Sequence, residues 1–375
     1  MHDASSRPPL PGHLRWLAAL AFVLTLVAAG WRLPDRNTTP AFALPPLAAS
    51  PAAGLISQGM LPGVGSSAAS PSLARLADGR VAIAWRSAAT AARQQDAIWF
   101  SVFEHGAWRQ PFPVSSTEEA AGSLFAHVRQ LSEPVLFQHG SALHLWFAVS
   151  GAGGRSIVHT RSDDDGESWQ GLARVAASPL ANTDLRLRHP PLAMTDGSLG
   201  LPLSQTWLGG HGEWLRLDAA GKVLEKSRMP TASAALDPAV IAIDARQALA
   251  LLRHPQQAGL QLARSDSAGE HWQGAPAIDL GGSPSALLRL PSGRLLLAGN
   301  AGQGRGTLAV WIGSADGSAW QAPRIIETAA DARAEFSEPS LAIDGDGRIH
   351  LAYAWRGEGI RHLVFGEAWL DGGQP

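Results

Sequence analysis

The sequence predicts an all-β chain, a six-bladed β-propeller preceded by an N-terminal signal-anchor helix and a linker. Three observations carry this reading. A proline-led hairpin recurs six times, a turn built on serine, aspartate, glycine and tryptophan recurs between the hairpins, and helical periodicity is absent after residue 40.

The hairpins begin at Ser70-Pro71, Glu133-Pro134, His189-Pro190, Asp237-Pro238, Ser283-Pro284 and Glu338-Pro339. Each proline is followed by an apolar run, a tight turn and a second apolar run, and most of the turns are Asp-Gly or Ser-Gly: Asp78-Gly79, Asp196-Gly197, Ser292-Gly293 and Asp346-Gly347. A repeat of about 50 residues holds four short strands, which is one propeller blade. Proline is tolerated at the first residue of a strand, where no ladder donor is required.

The second recurrence is complete at Ser162-Asp163-Asp164-Asp165-Gly166-Glu167-Ser168-Trp169. In this pattern the aspartate caps backbone N–H groups, the glycine takes positive φ and the tryptophan wedges between blades. Degenerate copies stand at 265–272, where Ser267 replaces the aspartate, and at 314–320, one residue short. These turns are structural, and neither catalysis nor calcium binding is expected of them.

Ahead of the repeats, Arg7, His13 and Arg15 precede an apolar stretch from Trp16 to Trp31, which reads as a signal anchor over residues 1–33. Val27-Ala28-Ala29 resembles a cleavage site, so a cleaved signal peptide is the alternative. Both place the remainder outside the cytoplasm: at the bacterial inner membrane facing the periplasm, or secreted. Residues 34–65, rich in Pro, Ala, Gly and Ser, read as a tether, and 66–370 as the propeller.

Composition narrows the function. Hydrophobic residues at 45% suffice for a core, and a net charge of −2 gives no footprint for nucleic acid. With no cysteine there is no disulfide or thiol nucleophile, and no histidine or carboxylate spacing suggests a metal. No cofactor is expected.

From Ser66 to Trp369 the chain resembles the sialidase superfamily, in particular the bacterial Asp-box (BNR-repeat) sialidase-like proteins. The likeness rests on the Asp-box at Ser162, on Leu187-Arg188-His189-Pro190-Pro191-Leu192, and on Phe336-Ser337-Glu338-Pro339-Ser340-Leu341. It implies that the residues beside the repeat prolines ring a tunnel mouth: Ser70, Glu133, His189, Asp237, Ser283 and Glu338. Loops on the same face add Arg86, Arg93, Asp96, Arg253, Asn300, Arg305 and Arg356. By the resemblance Asp96 matches the acid/base aspartate, Asp237 the place of the partner glutamate, and Arg305 and Arg253 two arginines of a carboxylate-binding triad.

Two departures stand out. Ala69 occupies the place of the first triad arginine, and Glu338 that of the tyrosine nucleophile, while the one tyrosine, Tyr353, is expected in the core. The chemistry implied is glycoside hydrolysis by Asp96, Asp237 and Glu338, with Arg188, Arg253, Arg305, Arg356, Glu133 and His189 binding a carbohydrate substrate. Trp85, Trp99, Trp207 and Trp355 offer aromatic faces for sugar rings, although most tryptophans of a propeller pack between blades. The alternative is a catalytically degenerate propeller that binds a glycan or a protein. The chain is read as a monomer.

Overall fold

A computed structural model describes residues 16–17, 19–20, 22–24, 39–46, 51, 54–88, 95–177, 182, 184–206, 209–254, 259–302, 304–331 and 334–372. Six antiparallel sheets follow one another along the chain, one for each proline-led repeat. In blade 1 the strands are Ala68–Arg75, Val81–Ser87 and Ala97–Glu104, with Ala107–Trp108 and Phe112–Ser116 outermost. Blades 2, 4 and 5 repeat this order with four strands each. The inner strands of blades 1 and 6 pack side by side and close the ring.

The second strands are apolar on both faces because a neighbouring blade covers each side. Val81-Ala82-Ile83-Ala84-Trp85 and Leu249-Ala250-Leu251-Leu252 are buried throughout, so they read as continuous apolar runs rather than alternating ones. An inner strand has an edge with no strand beyond it, and serine hydroxyls from the neighbouring blade satisfy part of that edge. Ser72 Oγ accepts from Leu136 N of blade 2 at 2.9 Å, and Ser340 Oγ of blade 6 accepts from Leu73 N of blade 1 at 2.9 Å.

Blade 6 departs from the expected boundaries. Its inner three strands are Phe336–Ile343, Ile349–Trp355 and Gly359–Phe365, and its outermost strand is Leu55–Met60 from the other end of the propeller. The 34–65 stretch read as a tether therefore carries part of the domain. Phe42, also from that stretch, is buried against Trp214 at 6.0 Å, and its N–H donates to Ala245 O at 2.7 Å. The reading missed both pieces because an exposed edge strand and one wedged phenylalanine make no period in a Pro/Ala-rich context.

Helices are also present where none was read. Thr117–Leu124 begins with a capping box between Ser116 and Glu119, and Glu367–Leu370 follows the last strand. Toward the N-terminus, residues 16, 17, 19, 20 and 22–24 are helical, and the rest of the expected anchor lies outside the described residues. Among the described residues no helix is long and apolar enough to cross a membrane.

The Asp-boxes behave as the sequence requires. Asp164 accepts from Ser168 N at 2.9 Å and Ser168 Oγ at 2.6 Å, while Ser162 Oγ accepts from Gly166 N at 2.8 Å. Gly166 sits at φ +94°, and a Cβ there would lie 2.3 Å from Phe100 of blade 1, so both backbone and packing demand glycine. Trp169 meets that same Phe100 edge-on at 5.5 Å. At 265–272 the serine substitute works: Ser267 Oγ accepts from His271 N at 3.0 Å. Because strands alternate in direction, these turns and the Asp-Gly hairpins occupy the end opposite the mouth.

Blades 2 and 6 each bury a histidine pair across their second and third strands. His144 Nδ1 lies 2.9 Å from His159 Nε2, and His350 Nδ1 lies 3.0 Å from His362 Nε2. Burial, with a smaller contribution from nearby positive charge, pushes His144 down to about 4 and His159 to about 3, and burial holds His362 well below its ordinary value. The rings of His144, His159 and His362 are neutral when folded, whereas the unfolded chain protonates them near pH 6.5. Their contribution to stability is complete above that value and is lost as pH falls from about 6.5 toward the folded values of about 4 and 3. Thermal unfolding followed by circular dichroism should show the midpoint dropping across that interval. A midpoint constant between pH 7 and 4 would contradict this account.

Candidate functional site at the tunnel mouth

Four of the six residues preceding the repeat prolines share one strained backbone state. Ser70, Glu133, Asp237 and Glu338 have φ of 53°, 52°, 55° and 54°. Each lies at a register shift where the inner strand bulges against the second strand. Left-handed backbone in a non-glycine residue costs on the order of 1–3 kcal/mol and clusters at functional sites. Here the bulge aims a side chain at the axis that a regular strand would direct into a blade.

Blade 3 does this on a larger scale. Its inner strand is split into Leu185–Arg186 and Leu192–Ala193, and residues 187–191 bulge out between them. Pro190 and Pro191 cannot donate to a ladder, which keeps this stretch out of the sheet. It delivers Arg188 and His189 to the mouth.

The side chains that meet there form a partly buried ion-pair network. Arg188 Nη2 donates to Glu338 Oε1 at 2.6 Å, and its Nη1 lies 3.5 Å from Glu133 Oε1, so one guanidinium joins blades 2, 3 and 6. Glu133 also pairs with Arg186 at 2.9 Å and with Arg155. Asp237 pairs with Arg253 at 2.8 Å and with Arg186 Nε at 3.4 Å. Ser70 donates both its N–H and its Oγ–H to Glu338 Oε2, each at 2.8 Å. Burial alone would raise the Asp237 and Glu338 carboxyls, but the arginine charges and these hydrogen bonds outweigh it and hold both below the usual range. Against burial, the surrounding carboxylates raise the Arg188 guanidinium further.

Ser70, Glu133, Arg188, His189, Ser285 and Glu338 line a cleft with about 30 Å³ of internal cavity, room for one or two waters. Counting space continuous with solvent, the cleft reaches about 340 Å³. A ligand larger than a few waters would therefore occupy the open end of the cleft.

Of the residues named from sequence, the structure brings together Glu133, Arg188, His189, Asp237, Arg253 and Glu338. Asp96 is buried at the mouth end of blade 1, with Arg86 Nε at 3.9 Å, and does not line the cleft. Arg305 points to Glu335 at 3.5 Å, both side chains 59% exposed, and Arg356 stacks over Trp355 at 4.6 Å. These two arginines stand apart from the network. Arg93, Trp207 and the Ser283 side chain lie outside the described residues.

Arg155 and Arg186 were not foreseen. Arg155 opens the third strand of blade 2, where the preceding connection returns to the mouth, a place equivalent to that of Asp96 and Ala97 in blade 1. That equivalence was the available signal. Tyr353 is fully buried, and its hydroxyl donates to Glu327 Oε2 at 2.6 Å. Burial and that carboxylate push its pKa upward, so it is no nucleophile. Trp85 and Trp99 stack on each other at 6.5 Å within blade 1.

The architecture is shared with solved structures. A Dyadobacter fermentans protein of unknown function superposes with a TM-score of 0.64 at 16% identity, over 84% of this chain and 99% of that one. A leech intramolecular trans-sialidase, complexed with 2,7-anhydro-Neu5Ac, gives 0.63 at 13% identity over 82% and 69%. The NanB sialidase of Streptococcus pneumoniae gives 0.63 at 11% identity over 85% and 71%. At these identities the likeness establishes the fold, a sialidase-like propeller. No curated protein matches the chain. The BNR repeat-like domain matches residues 66–351, so five of the six proline-led repeats and the start of the sixth fall inside it, and the chain belongs to that family.

Proposed function

We propose that this is a sialidase-related, glycan-directed protein acting outside the cytoplasm, whose tunnel mouth receives a carboxylate-bearing sugar. One observation carries the reading. Among the described residues, the linked ion pairs at the mouth set four arginines (155, 186, 188 and 253) against three carboxylates (133, 237 and 338), one more positive charge than negative. Half-buried guanidiniums with fixed forks suit a planar carboxylate. The membrane attachment expected of residues 1–33 and the monomeric state belong to the same proposal.

Binding is favoured over hydrolysis. Hydrolysis of a glycoside needs a carboxyl that keeps its proton, and Asp237 and Glu338 are pushed the other way. A hydrolytic second reading rests on Asp96, whose contact with Arg86 is long at 3.9 Å and which lies beside the mouth. Calorimetry with 3′-sialyllactose and lactose separates acidic from neutral recognition. The acidic sugar alone should bind, more weakly as salt rises, and equal binding of both would contradict the proposal. Turnover of aryl-glycosides that disappears in Asp96→Ala would establish the hydrolytic reading instead.

A further inference from the structure

The ion-pair network leaves over one proton-accepting side chain. His189 lines the cleft beside Arg188, Glu133 and Glu338. A hydrogen bond to the Asp237 backbone keeps one ring nitrogen as a donor, so the other carries a lone pair. Burial first, and then the charge of Arg188, lower the ring to about 4 against the opposing pull of Asp237, and it is neutral under physiological conditions. The groups around it are Arg188 on its own stretch, Asp237 from blade 4, Glu133 from blade 2 and Glu338 from blade 6. His189 can take a proton but has none to give.

That combination separates two reactions of acidic sugars. Acetal hydrolysis begins by giving a proton to the leaving oxygen. Removing a proton from the carbon beside a carboxylate begins by taking one, and it needs cations on the carboxylate to hold the charge that develops. The mouth supplies a neutral base and carboxylate-binding arginines.

We propose that His189 is the general base of a β-elimination on a hexuronate residue seated at the mouth, with Arg188 receiving the substrate's carboxylate. This rests on the acidic-sugar reading above. The free nitrogen takes the hydrogen of C5, the carbon that bears the carboxylate, and the C–H electron pair becomes the C4–C5 double bond. The C4–O4 bond breaks, the leaving oxygen takes a proton from water, and the imidazolium returns its own proton to solvent. Binding prepares the base, because a substrate carboxylate on Arg188 cancels part of the field that weakens His189. A sialoside cannot react this way, since its carboxylate-bearing carbon has no hydrogen.

The test incubates the full chain with a hexuronate oligosaccharide and, separately, with 3′-sialyllactose, following the ultraviolet absorbance of the conjugated enoate and the product masses. Enoate should form from the hexuronate alone. His189→Ala should lose about 100-fold or more of the rate, far more than it loses in hexuronate affinity, and regain part of the rate with added imidazole. Hexuronate that binds without forming enoate, or that yields a saturated, water-added product, overturns the elimination and leaves the acidic-sugar reading standing. Failure of every acidic sugar to bind overturns that reading itself. If His189→Ala does not fold, the product formed by the native chain still decides.

Discussion

A chain ending before Phe336 should fail to fold cooperatively. The truncation removes Phe336, Leu351, Tyr353 and Phe365 from the core that blade 6 shares with blade 5. It also leaves Leu55–Met60 with no strand to pair with and exposes the inner edge of blade 1, where Ser340 now caps Leu73 N. Sheet edges hidden by ring closure would all be opened at once. The expected result is loss of the sigmoidal denaturant transition, together with aggregation. A stable, monomeric, two-state product would contradict a ring closed in this way.

Arg188→Ala should have the second largest effect, because it acts on stability and on ligand together. Without the guanidinium, Glu338 keeps, among the described residues, the Ser70 donors, and Glu133 keeps Arg155 and Arg186. Removing one partner of a fully buried ion pair costs about 3–5 kcal/mol, and this part-buried pair, with the Ser70 donors still on Glu338, should lose less. Removing Glu338 as well should restore part of that loss, and a double-mutant cycle by chemical denaturation measures the coupling. Acidic-sugar binding should not return in the double variant, because the cation is still missing. Stability and binding both unchanged in Arg188→Ala would remove this arginine from the centre of the site.

How far the sequence foretold this arrangement depends on what repeats. The prolines at 71, 134, 238 and 339 mark the bulges that turn Ser70, Glu133, Asp237 and Glu338 toward the axis, so the ring of mouth residues was legible. The left-handed backbone that aims them was not, because serine and glutamate carry no signal for positive φ. Loop residues fared worse. Arg305 and Arg356 sit at plausible repeat positions, but their directions follow local partners, Glu335 and Trp355. Arg155 and Arg186 went unread because arginine pairing depends on reach across blades, and reach is a property of the folded ring. Leu55–Met60 was hidden because an outermost strand with five exposed residues has no face to bury.

The departures from the sialidase-like pattern gain a physical reading from the ion pairs. Glu338 stands where a tyrosine nucleophile is expected, and it is clamped by Arg188 and by both donors of Ser70. A carboxylate so fully used is a poor nucleophile and a good anchor for a guanidinium. Ala69 lacks the arginine expected there, and Arg188 brings one to the axis from blade 3. On the proposed reading, the cation that meets a sugar carboxylate comes from another blade.

The most direct test of the central claim, that the mouth arginines receive a sugar carboxylate, is a crystal structure of the protein soaked with a hexuronate and, separately, with 3′-sialyllactose. Ligand should appear at the open end of the cleft, its carboxylate within hydrogen-bond distance of the Arg188 guanidinium. A ligand bound on another face, or one seated at the mouth with its carboxylate turned away from Arg188, would contradict that claim.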